Sequence, residues 1–410
     1  MTAGTGRATV RYRDLFRDRE FSGMWVADVL SMTGSYLARI AVAALVYART
    51  DSPGLTAVAF AISFAPYLFA PLLATVADRF RRKPLLVTTD LLRCLLVLLL
   101  IIPGMPLPLL LATLFAIEVF QIPFGAARLA TLADVLDDDR FPAGNALVAG
   151  TRQALQVSGF LVGGAVVAAT TPQAALVINS LTYLSSGVLI MLFVQRRPQP
   201  WGEDGERPPI WAGAREGLRF VTSTPGMPGW FALLALGPGI VIVAEGLAVP
   251  YADQLGGGTR LAGVIMATAP LGNVVGLALL GRLPLEQQRR LIYPGAAGCG
   301  LLVALSGLGG HLAASPWPVI ALLTLAGLSL AYLAGIQAMV ARSIPTAARG
   351  RVFGLGNAVM QISQGGAVAL AGALAEGAAI GLVLTALGLV ALLVAGALAW
   401  GNRAPAAQPL

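Results

Sequence analysis

Ala74-Thr75-Val76-Ala77-Asp78-Arg79-Phe80-Arg81-Arg82-Lys83 ends one apolar run and leads into the next. The runs on either side, near 54–77 and 84–104, are long enough to cross a bilayer. A helical span needs roughly 20 mostly apolar residues to cover about 30 Å of hydrocarbon. Applied along the whole chain, the same test places twelve spans. They lie near 21–48, 54–77, 84–104, 107–133, 144–169, 174–195, 228–250, 260–281, 291–311, 317–341, 351–375 and 378–400. The expected fold is all-α and polytopic, with bends where Pro66, Pro71, Pro123, Pro238 and Pro270 fall inside spans.

Charge sets the orientation. Of 28 Lys and Arg residues, 22 fall in alternate connecting segments, Arg81, Arg82 and Lys83 among them. Only Arg49 and Arg260 fall in the other segments, and Arg39, Arg93, Arg128 and Arg152 sit inside apolar runs. Basic residues stay on the cytoplasmic side during insertion, so both termini are expected in the cytoplasm. The Arg-rich start resembles a signal peptide, but the run from Phe21 is too long for a cleaved apolar core and reads as an uncleaved first span.

Composition excludes several classes. The chain is 57% hydrophobic and 12% charged, which leaves too little polar surface to coat a water-facing globule. Its net charge of +8 is scattered over membrane-flanking loops, so no nucleic-acid face is expected and the lipid bilayer is the partner. Cys94 and Cys299 lie in apolar runs, so no disulfide framework is implied. No phosphate-binding loop accompanies the spans, and the only histidine, His311, stands at the outer end of the ninth. An enzyme and a cofactor or metal site are therefore not expected. One Lys among 28 basic residues, with abundant Ala and Gly, suits a GC-rich bacterial genome and a multi-pass protein of the plasma (inner) membrane.

The longest hydrophilic stretch, Arg196 to Pro209, is rich in Pro, Gly and mixed charge and reads as a linker. Ile210, Ala214, Leu218 and Val221 then share one helical face, predicting a short interfacial helix. The organisation is a six-helix bundle over 1–195, a cytoplasmic linker over 196–227 and a second six-helix bundle over 228–410. Gly144-Asn145-Ala146 near the fifth span and Gly356-Asn357-Ala358 near the eleventh echo one another, as do Arg79 and Arg282, which favours an internal repeat. Gly159 and Gly163, four residues apart, are expected to allow close helix packing.

With twelve spans and a central linker, the stretch from Ala74 to Lys83 resembles the loop motif of the major facilitator superfamily. Ala74 stands for the family's leading Gly, and Arg81 for the Gly before its basic pair. Ser31, Gly34, Arg39, Tyr47, Asp51-Ser52-Pro53, Asp90-Leu91-Leu92-Arg93 and Arg349-Gly350-Arg351-Val352 are similar to the branch of the bacterial enterobactin exporter and multidrug efflux proteins. Gly150, Gly159, Gly163 and Gly164 match the glycine spacing of the family's antiporter motif, whose Pro is missing here.

The resemblance implies a monomeric secondary transporter working by alternating access, with the proton gradient as its energy source and no cofactor. Export of a small, largely apolar or amphipathic compound (drug, siderophore or secondary metabolite) by proton antiport is the expectation; a proton-coupled importer of a small metabolite or a non-transporting sensor has the same layout. In the gating motif the resemblance sets Asp78 against the start of the eleventh helix and pairs Arg79 or Arg82 with Asp134. It also makes the first, fourth, seventh and tenth helices the cavity lining.

Charges inside spans are the functional candidates, since each costs about 2.5–3.5 kcal/mol at a span centre. Asp28 and Asp90 lie about 9 Å from the cytoplasmic boundary, and Glu118 about 14–16 Å. Arg93, Arg128 and Arg152 lie at about 9–14 Å on the same rise. Asp90 and Arg93 share a helix face and are expected to form an intramembrane ion pair, with Arg128 and Arg152 satisfying acids across the bundle. Glu118, the one acid near mid-membrane, is the first candidate for proton coupling, because a carboxyl in a low-dielectric cavity can load and release protons near neutral pH. Asp28 is the second. Arg39 and Glu245 lie at about 25 and 24 Å and are expected to form an extracellular gate. Tyr332, Gln337, Gln361 and Gln364 are the candidates for the substrate cavity in the second half.

Overall fold

A computed structural model describes residues 12–197 and 210–401, apart from 138 and 314 and the side chains of 71, 78, 210–214 and 346–348. A short α1 (Tyr12–Leu15) precedes α2 (Arg19–Thr50). The second crossing is divided into α3 (Pro53–Ala61), a 3₁₀ stretch (Ile62–Phe69) and α4 (Ala70–Arg79). α5 (Arg82–Leu99), α6 (Leu107–Val135), α7 (Phe141–Ala169) and α8 (Pro172–Phe193) complete the first six crossings. α9 (Ile210–Ser223) then precedes α10 (Met227–Gly246), α11 (Ala248–Gln254), α12 (Gly258–Leu280) and the short α13 (Leu285–Arg290). α14 (Ile292–Ala313), α15 (Pro316–Ser329), α16 (Tyr332–Ser343), α17 (Thr346–Ala375) and α18 (Ile380–Gly401) finish the chain.

Local sequence explains the helix ends. Asp18 caps α2 by accepting hydrogen bonds from the backbone of Glu20 (2.8 Å) and Phe21 (3.2 Å). Asp51 ends α2 in the left-handed region at φ 50°, and its N–H donates to the Tyr47 carbonyl. One residue later Ser52 caps α3 with Pro53 in the first turn, so the chain reverses in very few residues. Pro66, which lacks an N–H, lies in the tighter 3₁₀ stretch, and Pro71 in the first turn of α4. By contrast α6, α10 and α12 run on through Pro123, Pro238 and Pro270. The tenth crossing divides between α15 and α16 at 330–331, where no proline stands.

Every expected span has a helical counterpart. Nine helical stretches among the described residues are long and apolar enough to cross a membrane. The remaining crossings are the divided α3–α4, α5 with four charges in 18 residues, and α7 with Arg152. A helix, α9, stands where the short interfacial helix is expected, while most of the linker, 198–209, lies outside the described residues.

The helices form two six-crossing bundles. In the first, α2 lies against α7 and α8, and α5 against α6 and α8. In the second, α14 lies against α15 and α18, α12 against α15, and α10 against α17. The bundles meet chiefly where α3 and the 3₁₀ stretch lie against α17 and where α7 lies against α12. Gly159 and Gly163 let α7 close on α2, at Tyr36 and Leu37. A Cβ at Gly164 would lie 2.7 Å from the Thr259 carbonyl and 2.8 Å from the Gly263 Cα, so α7 and α12 meet backbone to backbone.

These inter-bundle contacts gather at the end of the molecule opposite the termini. There Gly54 N donates to Glu376 Oε1 (2.8 Å), Ser52 donates to the same oxygen, and Tyr47 donates to Asp253 (3.2 Å). At the terminus-bearing end, α9 is tied to α17 by the Arg351–Glu216 ion pair.

Candidate functional site

A cavity of about 250 Å³ lies inside the first bundle, lined from α2, the divided second crossing, α5, α6, α7, α8 and, from the second bundle, Gln361 of α17. Its wall carries Arg39, Glu118 and Arg152 among polar neighbours that include Tyr36, Tyr67 and Asn179. Phe60, Phe64 and Leu114 supply its apolar portion.

Periodicity puts the charges there. Asp28 and Arg39 stand eleven residues apart on α2, about three turns of a 3.6-residue helix, and Tyr36 precedes Arg39 by just under one turn. Arg39 has its guanidinium carbon 5.9 Å from the Tyr36 ring centre and 6.0 Å from that of Phe60. Glu118 is its strongest acidic neighbour, ahead of Glu245. Neither acid comes within 4 Å of it as an ion pair. Ser63 stands beside Glu118, and Tyr67 beside Gln361.

Asp28 is 5% exposed and accepts from two arginines. Arg128 Nη1 donates at 3.1 Å, and Arg152 donates through Nη2 at 3.1 Å and Nε at 3.3 Å. Arg128 is itself buried, whereas Arg152 reaches the cavity wall. Asp28 is thus the shared counter-ion of two cations.

Asp90 and Arg93 form a fully buried ion pair. Ser186 donates to Asp90 at 2.7 Å, and Arg93 also donates to Gln121 and Thr89. The Arg93 guanidinium lies between the rings of Phe124 (4.2 Å) and Tyr183 (4.6 Å). Its polar atoms are satisfied within the bundle, which suits a packing role.

In the gating motif, Arg82 pairs with Asp134, and Arg197 joins the same carboxylate at 3.7 Å. Arg197 also makes a two-pronged bond to Glu20, at 2.5 and 3.1 Å. This network binds α2, α5, α6 and the end of α8 to one another within the first bundle. Arg79 is exposed at the end of α4, and the side chain of Asp78 lies outside the described residues.

Glu245 is 5% exposed and off the cavity wall, with Oε2 lacking a hydrogen-bond partner. Arg39 and Glu245 lie near one another across the bundles without an ion pair. The second-half candidates separate. Gln361 lines the main cavity, and Gln364 is buried beside it, donating to Gln361 at 3.0 Å. Gln337 lines a smaller cavity of about 80 Å³ with Phe231, Asn357 and Met360. Tyr332 is 2% exposed and lines neither, its hydroxyl donating to the Leu233 carbonyl at 2.5 Å. The cavity mixes charged and polar groups with apolar lining and lies in the first half; of the second-half residues singled out in the sequence, Gln361 alone reaches its wall. Tyr36, Ser63, Tyr67, Gln121, Asn179 and Tyr183 were missed; the available signal was a polar residue inside an apolar run.

Among the described residues no group of three His, Cys, Asp or Glu could hold a metal ion. The Major Facilitator Superfamily model matches residues 24–311. No curated protein matches the sequence. Solved structures resemble it in fold. A peptide transporter POT in complex with sulfate superposes with a TM-score of 0.74 at 14% identity, covering 96% of this chain and 99% of that one. The nucleoside transporter NupG gives 0.71 at 12%, covering 94% and 99%. A bacterial homologue of the human lysosomal transporter Spinster, inward-facing and unoccupied, gives 0.63 at 14%, covering 94% and 95%.

Proposed function

Because the chain belongs to the Major Facilitator Superfamily, we propose that it is a proton-coupled secondary transporter of a small amphipathic compound, with Glu118 as the coupling carboxyl. The observation that carries this reading is the cavity wall, where Glu118 and Arg39 share one space without an ion pair. A carboxyl in that position is open to a proton, and its charge changes the field on Arg39. With both termini cytoplasmic, as the basic loops imply, the closed end is extracellular and the structure faces inward. Arg39 then stands near the closed end, between Glu118 of its own bundle and Glu245 of the other. Neutralising Glu118 leaves Glu245 as the principal acid in the field of Arg39 and favours extracellular closure.

The resemblance to efflux proteins directs this cycle to export by proton antiport, by a monomer in a bacterial plasma membrane. Uptake by proton symport is the second reading, favoured by two arginines on the cavity wall and by neighbours of the fold that transport peptides and nucleosides. Everted vesicles loaded with a proton gradient test both, using a panel of lipophilic drugs, siderophores, peptides and nucleosides with Glu118→Gln alongside. Antiport releases luminal protons when solute is added, and the variant abolishes the release. Solute-evoked proton movement that survives Glu118→Gln removes the carboxyl from the coupling role.

A further inference from the structure

Resting on that reading, we propose that the cavity takes the substrate by a carboxylate, held between Arg39 and Arg152 with the Tyr36 hydroxyl. The guanidinium of Arg39 has no hydrogen-bond acceptor within reach among the described residues, although it lies on a cavity wall inside the membrane. Its guanidinium carbon lies 5.9 and 6.0 Å from the ring centres of Tyr36 and Phe60. Arg39 is half-buried and its guanidinium faces the cavity rather than a protein acceptor, so its five N–H donors are available to an anion there.

Arg152 supplies a second set. Its Nε and Nη2 are spent on Asp28, while Nη1 has no protein partner. Asp28 is also bonded by Arg128, so one carboxylate answers two cations and a positive charge is left over beside the cavity. Tyr36 lies in the field of both Arg39 and Arg152, and its hydroxyl is likewise unbonded. Tyr183 and Tyr67 are not equivalent, since each already faces a protein partner, Ser35 and Gln361.

The charge count selects the class. Two arginines and one glutamate reach the wall, giving an excess of one positive charge when Glu118 is ionised. One carboxylate balances it, whereas an amine adds to the excess. The rest of the ligand lies on Phe60, Phe64 and Leu114, which suits an amphipathic acid with a compact apolar body. Arg152 is a binding residue here, while Asp28 is a positioning residue that orients it.

The test is ligand binding to the purified full-length protein in lipid nanodiscs, by calorimetry and thermal stabilisation. The probes are hydrocinnamate, its neutral amide, phenylpropylamine and phenyl phosphate, each at millimolar concentration. Hydrocinnamate is expected to bind about tenfold or more tightly than the amide, as for a charge-assisted hydrogen bond, with the amine weakest. Arg152→Gln and Arg39→Gln each remove the preference while amide binding persists, and Arg152→Lys restores part of it. Tyr36→Phe serves if either arginine variant fails to fold, and reduces the preference severalfold. Equal binding of acid and amide, tighter binding of the amine or the phosphate, or no binding of hydrocinnamate overturns the proposal. Glu118→Gln separates the two readings, because it keeps the preference for acid whether or not proton coupling survives.

Discussion

Gly54 donates its backbone N–H to the Glu376 carboxylate at 2.8 Å, joining the start of α3 to the end of α17. Ser52 shares that oxygen, so one side chain of the second bundle ties down the first turn of a helix in the other. On the proposed cycle of alternating access, such a contact stabilises one side of the equilibrium and is absent from the other.

Replacing Glu376 by Gln is therefore expected to favour opening at this end. Two hydrogen bonds to a partly exposed carboxylate contribute about 1 kcal/mol, which corresponds to roughly fivefold in the population ratio. Spin labels at Asp51 and Gly377 report it as growth of a longer-distance component. An unchanged distance distribution removes the latch.

Asp90→Asn and Arg93→Gln each strand a buried partner and are expected to destabilise the first bundle by about 3–5 kcal/mol. The double replacement Asp90→Leu with Arg93→Met costs much less than the sum, since both charges leave together. Thermal unfolding in detergent measures all three. Additive losses show that the pair is not a unit.

Asp28→Asn leaves Arg128 and Arg152 facing one another without their shared anion. The expected result is a clear loss of thermal stability and weaker substrate binding, while the proton signal per folded molecule at saturating substrate persists. Disappearance of that signal at wild-type stability transfers the coupling role from Glu118 to Asp28.

Binding of an acid beside Glu118 has a definite pH sign. An anion near a carboxyl favours its protonated form, so ligand and proton bind together and apparent affinity weakens as pH rises through the titration of Glu118. The limiting slope is about tenfold per pH unit for one linked proton, and Glu118→Gln flattens it. Calorimetry with hydrocinnamate across pH measures the slope. That sign is the one uptake by symport, the second reading, requires; a slope of opposite sign means that solute expels the proton, as the antiport reading requires.

Fold and site were unequally legible in the sequence. Span length, basic loops and the linker each leave a one-dimensional trace, so the crossings and α9 lie close to their expected bounds. Arg82 with Asp134 and Asp90 with Arg93 were readable from motif and helical spacing. The division of the tenth crossing carried no proline to announce it. The cavity was harder, because its wall collects polar residues scattered over five crossings of one half. Nothing local distinguishes Asn179 on that wall from a polar residue that bonds its own helix, such as Thr113. Tyr332 shows the reverse error, since a tyrosine in an apolar helix can spend its hydroxyl on a neighbouring backbone.

The side-chain-free approach of Gly164 and Gly263 makes a lever of α7. Phe141, at the far end of that helix, stands about 35 Å along the axis from this point. Turning the helix about the glycine contact by roughly 10° sweeps its distant end through about 6 Å on that rise, while the fulcrum barely moves. On the proposed cycle, a small adjustment where two backbones touch would thus open the opposite face by several ångströms. Lengthening either glycine by one methyl group moves the fulcrum itself, and with it the reach of the swing.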